Sequence, residues 1–265
     1  MLSLSLRCDP STESQQRSPQ IPKSSLLGGS VEHPAMESLL DAIPTLKPAL
    51  NGRDHEESIF ETDPYGVPVE QFRLMRRRLC NLRPEGGTVL ITSPGPGDGK
   101  SLNANSIAWA LAEAGHSTLL LELDLRRPSQ HRFLQGRPPY GLVEVLSGEV
   151  APGEAVTRIA KSPLFYLGLD KPAPKSVKLL RSRAIDDVMH WASNTFSWVI
   201  VDGPPVLAAS DVEEMLPKVD LVLMVVRERV TPRGMLERAA NHLGDRLNFL
   251  VYNDVPLSEQ YGYRY

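Results

Sequence analysis

The stretch from Thr88 to Gly115 leaves few folds open to this chain. A short apolar run, Thr88–Thr92, leads into Ser93-Pro94-Gly95-Pro96-Gly97-Asp98-Gly99-Lys100-Ser101. A helical pattern follows, with Ala104, Ile107, Ala108, Leu111 and Ala112 on one face and Gly115 as its stop. Strand, glycine-rich loop and helix in that order make an anion cradle. The glycines let backbone N–H groups converge, and the helix adds its positive N-terminal end. In such a loop Lys100 reaches the β- and γ-phosphates of a nucleoside triphosphate, and the Ser101 hydroxyl faces Mg²⁺. The candidate nucleotide-binding residues are Gly95, Gly97, Asp98, Gly99, Lys100, Ser101 and Leu102. The strict spacing asks for glycine at 94; here that position is Pro94, and glycine comes one residue later.

The remaining pattern predicts an α/β fold: a doubly wound, mainly parallel sheet of P-loop NTPase type. Thr118–Leu123, Leu164–Leu169, Trp198–Val201, Leu221–Val226 and Phe249–Tyr252 read as buried strands. Helical segments separate them at Gly141–Leu146, Ser176–Ser193, Asp211–Leu216 and Pro232–Leu243, the last with Thr231 as its cap. Continuously apolar strands alternating with helices indicate a sheet covered on both faces. Residues 1–62 differ: six prolines interrupt a Ser/Gln/Glu-rich text without sustained periodicity. They are expected to form a disordered leader, with a short helix near Met36–Ile43. The folded domain is expected over 63–256, and a flexible tyrosine-rich tail over 257–265.

Charge and cysteine content narrow the function. The net charge of −3 argues against nucleic acid as a partner. Two cysteines, Cys8 and Cys80, lie far apart in no metal-binding spacing, which fits a reducing, cytoplasmic setting. The apolar runs at Leu119–Leu123 and Leu221–Val226 fall well short of the ~20 residues a spanning helix needs. The first residues make a poor signal peptide.

Phosphate chemistry with Mg²⁺ needs carboxylates at neighbouring strand ends. Asp202 closes Trp198–Val201 and has the placement of a Walker B residue. Glu122 and Asp124 alternate with leucines, so strand geometry would turn both to one side, as one metal-associated carboxylate and one proton acceptor. Asp211, by contrast, reads as a helix cap.

Together these residues resemble the bacterial tyrosine kinases (BY-kinases) of capsular and exopolysaccharide synthesis, over about Val67 to Tyr265. The family's modified Walker A, roughly Ser-x-x-Pro-Gly-x-Gly-Lys-Ser, is matched by Ser93–Ser101 and makes no demand for glycine at 94. Its Walker A′, Asp-x-Asp-x-Arg after a hydrophobic strand, is matched by Glu122-Leu123-Asp124-Leu125-Arg126, with glutamate for the first aspartate. Its Walker B is matched by Val199–Pro205. Glu70, Arg73 and Arg76 match a Glu-x-x-Arg-x-x-Arg motif associated with ring-like self-assembly. Tyr261, Tyr263 and Tyr265 match the C-terminal tyrosine cluster that such kinases phosphorylate.

The resemblance implies an ATP- and Mg²⁺-dependent protein-tyrosine autokinase with Lys100, Glu122, Asp124 and Asp202 as catalytic residues and Ser101, Asp124 and Asp202 at the metal. It implies transfer in trans to the tail, a homo-oligomer, and a membrane-bound activator, the polysaccharide co-polymerase, that brings the chain to the inner face of the membrane. Arg126 or Arg127 is a candidate for added positive charge. Two other readings remain at this stage: a Min/Par-type switch ATPase, whose usual early loop lysine is missing from Ser93-Pro94-Gly95, and an ATP-binding regulatory module without transfer, for which Glu122 speaks.

Overall fold

A computed structural model of the chain describes residues 3–5, 44–48, 58–169, 171–173, 176–208 and 210–255. Among the described residues ten strands form one sheet: β1 (Ser3–Ser5), β2 (Thr45–Pro48), β3 (Gly87–Thr92), β4 (Thr118–Glu122), β5 (Leu134–Gln135), β6 (Thr157–Ile159), β7 (Leu164–Leu167), β8 (Trp198–Asp202), β9 (Leu221–Arg227) and β10 (Leu247–Asn253). Their spatial order is β1-β10-β9-β3-β8-β4-β7-β6-β2-β5. From β10 across to β7 every pairing is parallel; β1–β10, β6–β7 and β2–β5 are antiparallel. The doubly wound, mainly parallel sheet is therefore present as expected.

Burial on both faces follows from the alternation of side chains along each strand. Leu119 and Leu121 join Val199, Val201, Val222 and Met224 in one core, under the helices Leu142–Ser147, Arg183–Thr195 and Arg233–Leu243. Leu120 joins Val89, Ile91, Ile200, Leu223 and Val225 in the other, under the helices Val67–Leu82 and Lys100–Glu113. Val67–Leu82 starts with proline in its first turn and buries Val69, Phe72, Met75 and Leu79.

Several elements differ from the sequence expectation. Order reaches N-terminal of residue 63. Ser3–Ser5 pairs with β10, Thr45–Pro48 bridges β5 and β6, and the helix Ile59–Thr62 puts Phe60 against Phe72 and Trp109. These pieces of three or four residues are too short to show a period. The expected helix at 176–193 is two, Ser176–Leu180 and Arg183–Thr195. Ser182 breaks it: its backbone is extended, and its hydroxyl takes the Leu179 carbonyl at 2.6 Å. Helix Arg233–Leu243 has Pro232, not Thr231, at its N-cap position. The expected helix near Met36–Ile43 and the tail with Tyr261, Tyr263 and Tyr265 lie outside the described residues.

Candidate nucleotide and phosphoryl-transfer site

The strand order places β8 between β3 and β4, so the loops after these three strands converge at one edge of the sheet. The loop after β3 is tied to the segment after β8. Thr92 Oγ1 donates to the Pro204 carbonyl at 2.7 Å, and the Val206 N–H donates to the Ser93 carbonyl at 2.8 Å. Gly97 and Gly99 are left-handed, with φ of 88° and 92°. A Cβ on Gly99 would also stand 2.1 Å from Asn253 Nδ2. The loop's demand for glycine thus falls on 97 and 99, and Pro94 meets none.

Asp98 faces away from the site. Its Oδ1 accepts the Thr231 hydroxyl at 2.6 Å, its Oδ2 accepts the Gly95 N–H at 3.1 Å, and its carbonyl accepts Asn253 Nδ2 at 3.1 Å. Asp98 and Gly95 were expected to bind nucleotide, but neither lines the cleft beside the loop; Pro96, Gly97, Gly99, Lys100, Ser101 and Leu102 do. The physical reason is charge: a carboxylate pointed at a polyphosphate would repel it, and here it braces the loop instead. The same bond explains why Thr231 does not cap the following helix.

That cleft measures about 690 Å³, within the range of small-ligand sites. Lys100 lies at its floor, with its ammonium 2.9 Å from Asp124 Oδ2, 3.3 Å from Asp202 Oδ1 and 3.2 Å from Ser101 Oγ. Burial works against the Lys100 charge, but Asp202 and Asp124 together outweigh it and raise its pKa. Three oxygens around one cation are the hard donor set that suits Mg²⁺, so Ser101, Asp124 and Asp202 fit such an ion. Arg126, Arg127 and Arg132 line the cleft with positive charge. Arg126 is held by a two-pronged ion pair, at 2.9 and 3.1 Å, to the fully buried Asp211. Asp211 is thus an arginine partner inside its helix, which opens after Ser210, and not its cap.

Glu122 departs from the expected arrangement. Strand alternation stops at residue 122, because the N–H groups of both Leu123 and Asp124 turn to the one Asp202 carbonyl, at 2.9 and 3.0 Å. Asp124 therefore reaches the cleft, while Glu122 is fully buried and outside its lining. Glu122 Oε1 accepts the N–H groups of Ser129 and, at 2.9 Å, Gln130. Its Oε2 accepts the Tyr166 hydroxyl at 2.9 Å and the Leu169 N–H at 3.4 Å. Burial first, then the neighbouring Asp202 charge, push its pKa up to about 7 against the pull of these donors. The role of proton acceptor, expected of one of Glu122 and Asp124, does not fit Glu122, a carboxylate enclosed behind the cleft.

Ser129 and Gln130 escaped the sequence reading. Gln130 Nε2 donates to Asp202 Oδ2 at 2.8 Å and to the Ser101 carbonyl at 2.9 Å, and Ser129 Oγ donates to Ser101 Oγ at 2.7 Å. Their one signal was position, five and six residues beyond Asp124 in a proline-interrupted stretch without period.

Arg73 and Arg76 are engaged within the chain. Arg73 bonds both Glu70 and Glu113, with Nε 2.8 Å from Glu113 Oε2, and Arg76 donates to the Ala110 carbonyl at 3.2 Å. The motif read as a free subunit face also fastens Val67–Leu82 to the helix that follows the phosphate loop.

No protein-family model matches the chain. It is 28% identical over 209 residues to the tyrosine-protein kinase YwqD of Bacillus subtilis, covering 76% of this chain and 88% of that protein. It is 25% identical over 190 residues to a putative tyrosine-protein kinase in the cps region of Klebsiella pneumoniae, covering 69% of this chain but only 26% of that protein. The fold is shared with the BceF tyrosine kinase domain at a TM-score of 0.70, with 24% identity over 85% of this chain and 99% of that one. With its phosphate loop and two carboxylate strands, the chain is thus similar in sequence to bacterial tyrosine-protein kinases and shares the fold of a tyrosine kinase domain.

Proposed function

We propose that the chain is an ATP-dependent protein-tyrosine autokinase acting in capsule or exopolysaccharide synthesis or export. The observation that carries this reading is the convergence of Lys100, Ser101, Asp124 and Asp202 on one point beside an arginine-lined cleft. The relatives named as tyrosine kinases select tyrosine as the acceptor.

In this reading a tyrosine hydroxyl attacks the γ-phosphorus, the bond from that phosphorus to the β,γ-bridging oxygen breaks, and ADP leaves. Positioning and charge stabilisation carry the rate, since the protein has little covalent chemistry to do. Lys100 exchanges its carboxylate partners for phosphate oxygens. Ser101 and Asp202 would hold Mg²⁺, with Asp124 beside them, and the ion would neutralise charge on the β- and γ-oxygens. The tyrosyl proton passes to Asp124, the one carboxylate among the described residues that line the cleft.

The acceptors are Tyr261, Tyr263 and Tyr265, used between subunits of a homo-oligomer. β10 ends at Asn253 on the far side of the phosphate loop from β8 and β4, so a tail leaving there would have to cross the loop to enter its own cleft. No helix among the described residues is long and apolar enough to cross a membrane, and a membrane-bound activator would supply that location.

The test is anti-phosphotyrosine signal from purified protein with Mg-ATP. Lys100→Met should abolish it. Changing Tyr261, Tyr263 and Tyr265 together to Phe should remove most of it and leave nucleotide binding intact. Mixing the Lys100→Met chain with the chain lacking the three tail tyrosines should restore signal on the former if transfer is between subunits. ATP hydrolysis without phosphotyrosine would overturn the kinase reading in favour of a switch ATPase.

A further inference from the structure

Both residues that Glu122 Oε1 holds stand one bond from the reacting residues. The Ser129 and Gln130 N–H groups are fixed by Oε1. From that turn the Ser129 side chain reaches the Ser101 hydroxyl, and the Gln130 amide reaches both Asp202 and the Ser101 carbonyl. The 3₁₀ helix that the turn opens, Gln130–Phe133, is four residues long, and no side chain caps it. On the other side, Oε2 is fixed by Tyr166, which is fully enclosed, and by Leu169 beyond the end of β7.

We infer that Glu122 is a positioning residue that sets the Ser129–Gln130 turn, and through it the placement of Ser101 and Asp202, and that it does not take the proton of the attacking hydroxyl. The inference rests on the phosphoryl-transfer reading above. It also explains glutamate where related motifs have aspartate. The carboxylate must touch the turn with one oxygen and Tyr166 with the other. An aspartate on the same backbone is one methylene shorter and cannot span both. A displacement of about 1 Å at a reacting group can cost on the order of 10²-fold in rate. The longer side chain is then a requirement of this chain's own packing and not a defect of its catalysis.

The experiment compares Glu122→Asp, Glu122→Gln, Gln130→Ala and the double variant Glu122→Asp/Gln130→Ala. Two readouts are used: phosphotyrosine formation with Mg-ATP, and binding of a fluorescent ADP with and without Mg²⁺. Glu122→Asp should lower kcat tenfold or more and weaken ADP binding mainly when Mg²⁺ is present. Glu122→Gln keeps the length and an acceptor oxygen for the turn but cannot take a proton, and it should lose less than tenfold. Gln130→Ala should mimic Glu122→Asp, and the double variant should be little worse than either, because both act through one path. Glu122→Asp at or above wild-type activity, or Glu122→Gln as impaired as Glu122→Asp, would overturn the inference. Should Glu122→Asp fail to fold, Glu122→Gln and Gln130→Ala decide alone. Absence of phosphotyrosine from the wild type would count against the kinase reading. The Mg²⁺ dependence of ADP binding would still test the positioning role.

Discussion

Glu122 and Asp202 are register partners on the adjacent parallel strands β4 and β8, and Gln130 bonds both, its backbone N–H to Glu122 and its side-chain amide to Asp202. Like charges opposite one another oppose folding, and here both are buried. Burial first, and then the Asp202 charge, raise the Glu122 pKa from 4.5 to about 7. The sign follows directly. Between those values the folded chain binds more protons than the unfolded one, so stability is held at low pH and lost as pH rises toward 7. The loss amounts to about 3 kcal/mol for a shift of this size. Urea unfolding of metal-free protein at pH 5 and pH 7.5 should show it, and Glu122→Gln should remove it. An unchanged pH dependence in that variant would contradict the assignment.

Tyr166 fits beneath Glu122 because residue 168 is glycine. A Cβ there would stand 2.2 Å from the Tyr166 hydroxyl and 2.7 Å from ring carbon Cε2. The ring is enclosed and cannot swing away. Gly168→Ala should therefore destabilise the fold by about 2 kcal/mol, in the range of overpacked cores. Tyr166→Phe alone should cost about 1–2 kcal/mol, the penalty for leaving Glu122 short of one donor. In the Gly168→Ala background the same change removes the closest clash, so the double variant should cost less than the sum. Thermal unfolding of the four proteins checks this, and strict additivity would refute the contact.

The phosphate loop is held from behind by Thr231. Its hydroxyl accepts the Arg227 N–H at 2.9 Å and donates to Asp98 at 2.6 Å. Thr231→Val keeps the shape and removes both bonds, leaving buried Asp98 one partner fewer. The expected cost is about 1–3 kcal/mol, with weaker nucleotide binding because the loop is freer. Thr231→Ser should restore both properties. Calorimetric melting and nucleotide titration give the two readouts, and unaltered affinity in the valine variant would show that the loop holds its form without this brace.

How legible was this molecule in its sequence? The strand–loop–helix at Thr88–Glu113 and the strands carrying Asp202 and Glu122 could be read because burial on two faces leaves unbroken apolar runs. Lys100 and Ser101 could be read because a phosphate loop carries them at fixed spacing, and Asp124 and Asp202 because they stand at the ends of apolar strands. Three site features could not. The departure of Glu122 from the cleft depends on Leu123 and Asp124 sharing the Asp202 carbonyl, a three-dimensional event that periodicity cannot register. Ser129 and Gln130 act from an irregular turn. The outward-looking Asp98 and the arginine-bound Asp211 took the places of ligand and cap in the sequence reading, because short acidic residues suit loops and helix starts for several reasons.

Arg73 offers a way to separate packing from assembly. It joins Glu70 and Glu113 at the rim of two packed helices, with 21% of its side chain exposed and 54% and 37% of theirs. Ion pairs this open contribute about 1 kcal/mol or less, since solvent screens them and long side chains lose freedom. Hydrogen bonds to Glu113 and Glu70 raise the Arg73 pKa, while Arg73 lowers that of Glu113, so the Arg73–Glu113 pair stays charged across the neutral range. Arg73→Ala should therefore shift the melting temperature of the monomer by no more than about 4 °C. If the same arginine also serves a subunit interface, sedimentation velocity should show oligomer loss far beyond that small shift. Glu113→Gln separates the two further: it breaks the contact within the chain and leaves the arginine available to a neighbour, so assembly should persist in it. Loss of assembly in Glu113→Gln together with a large drop in melting temperature would assign the cluster to packing alone.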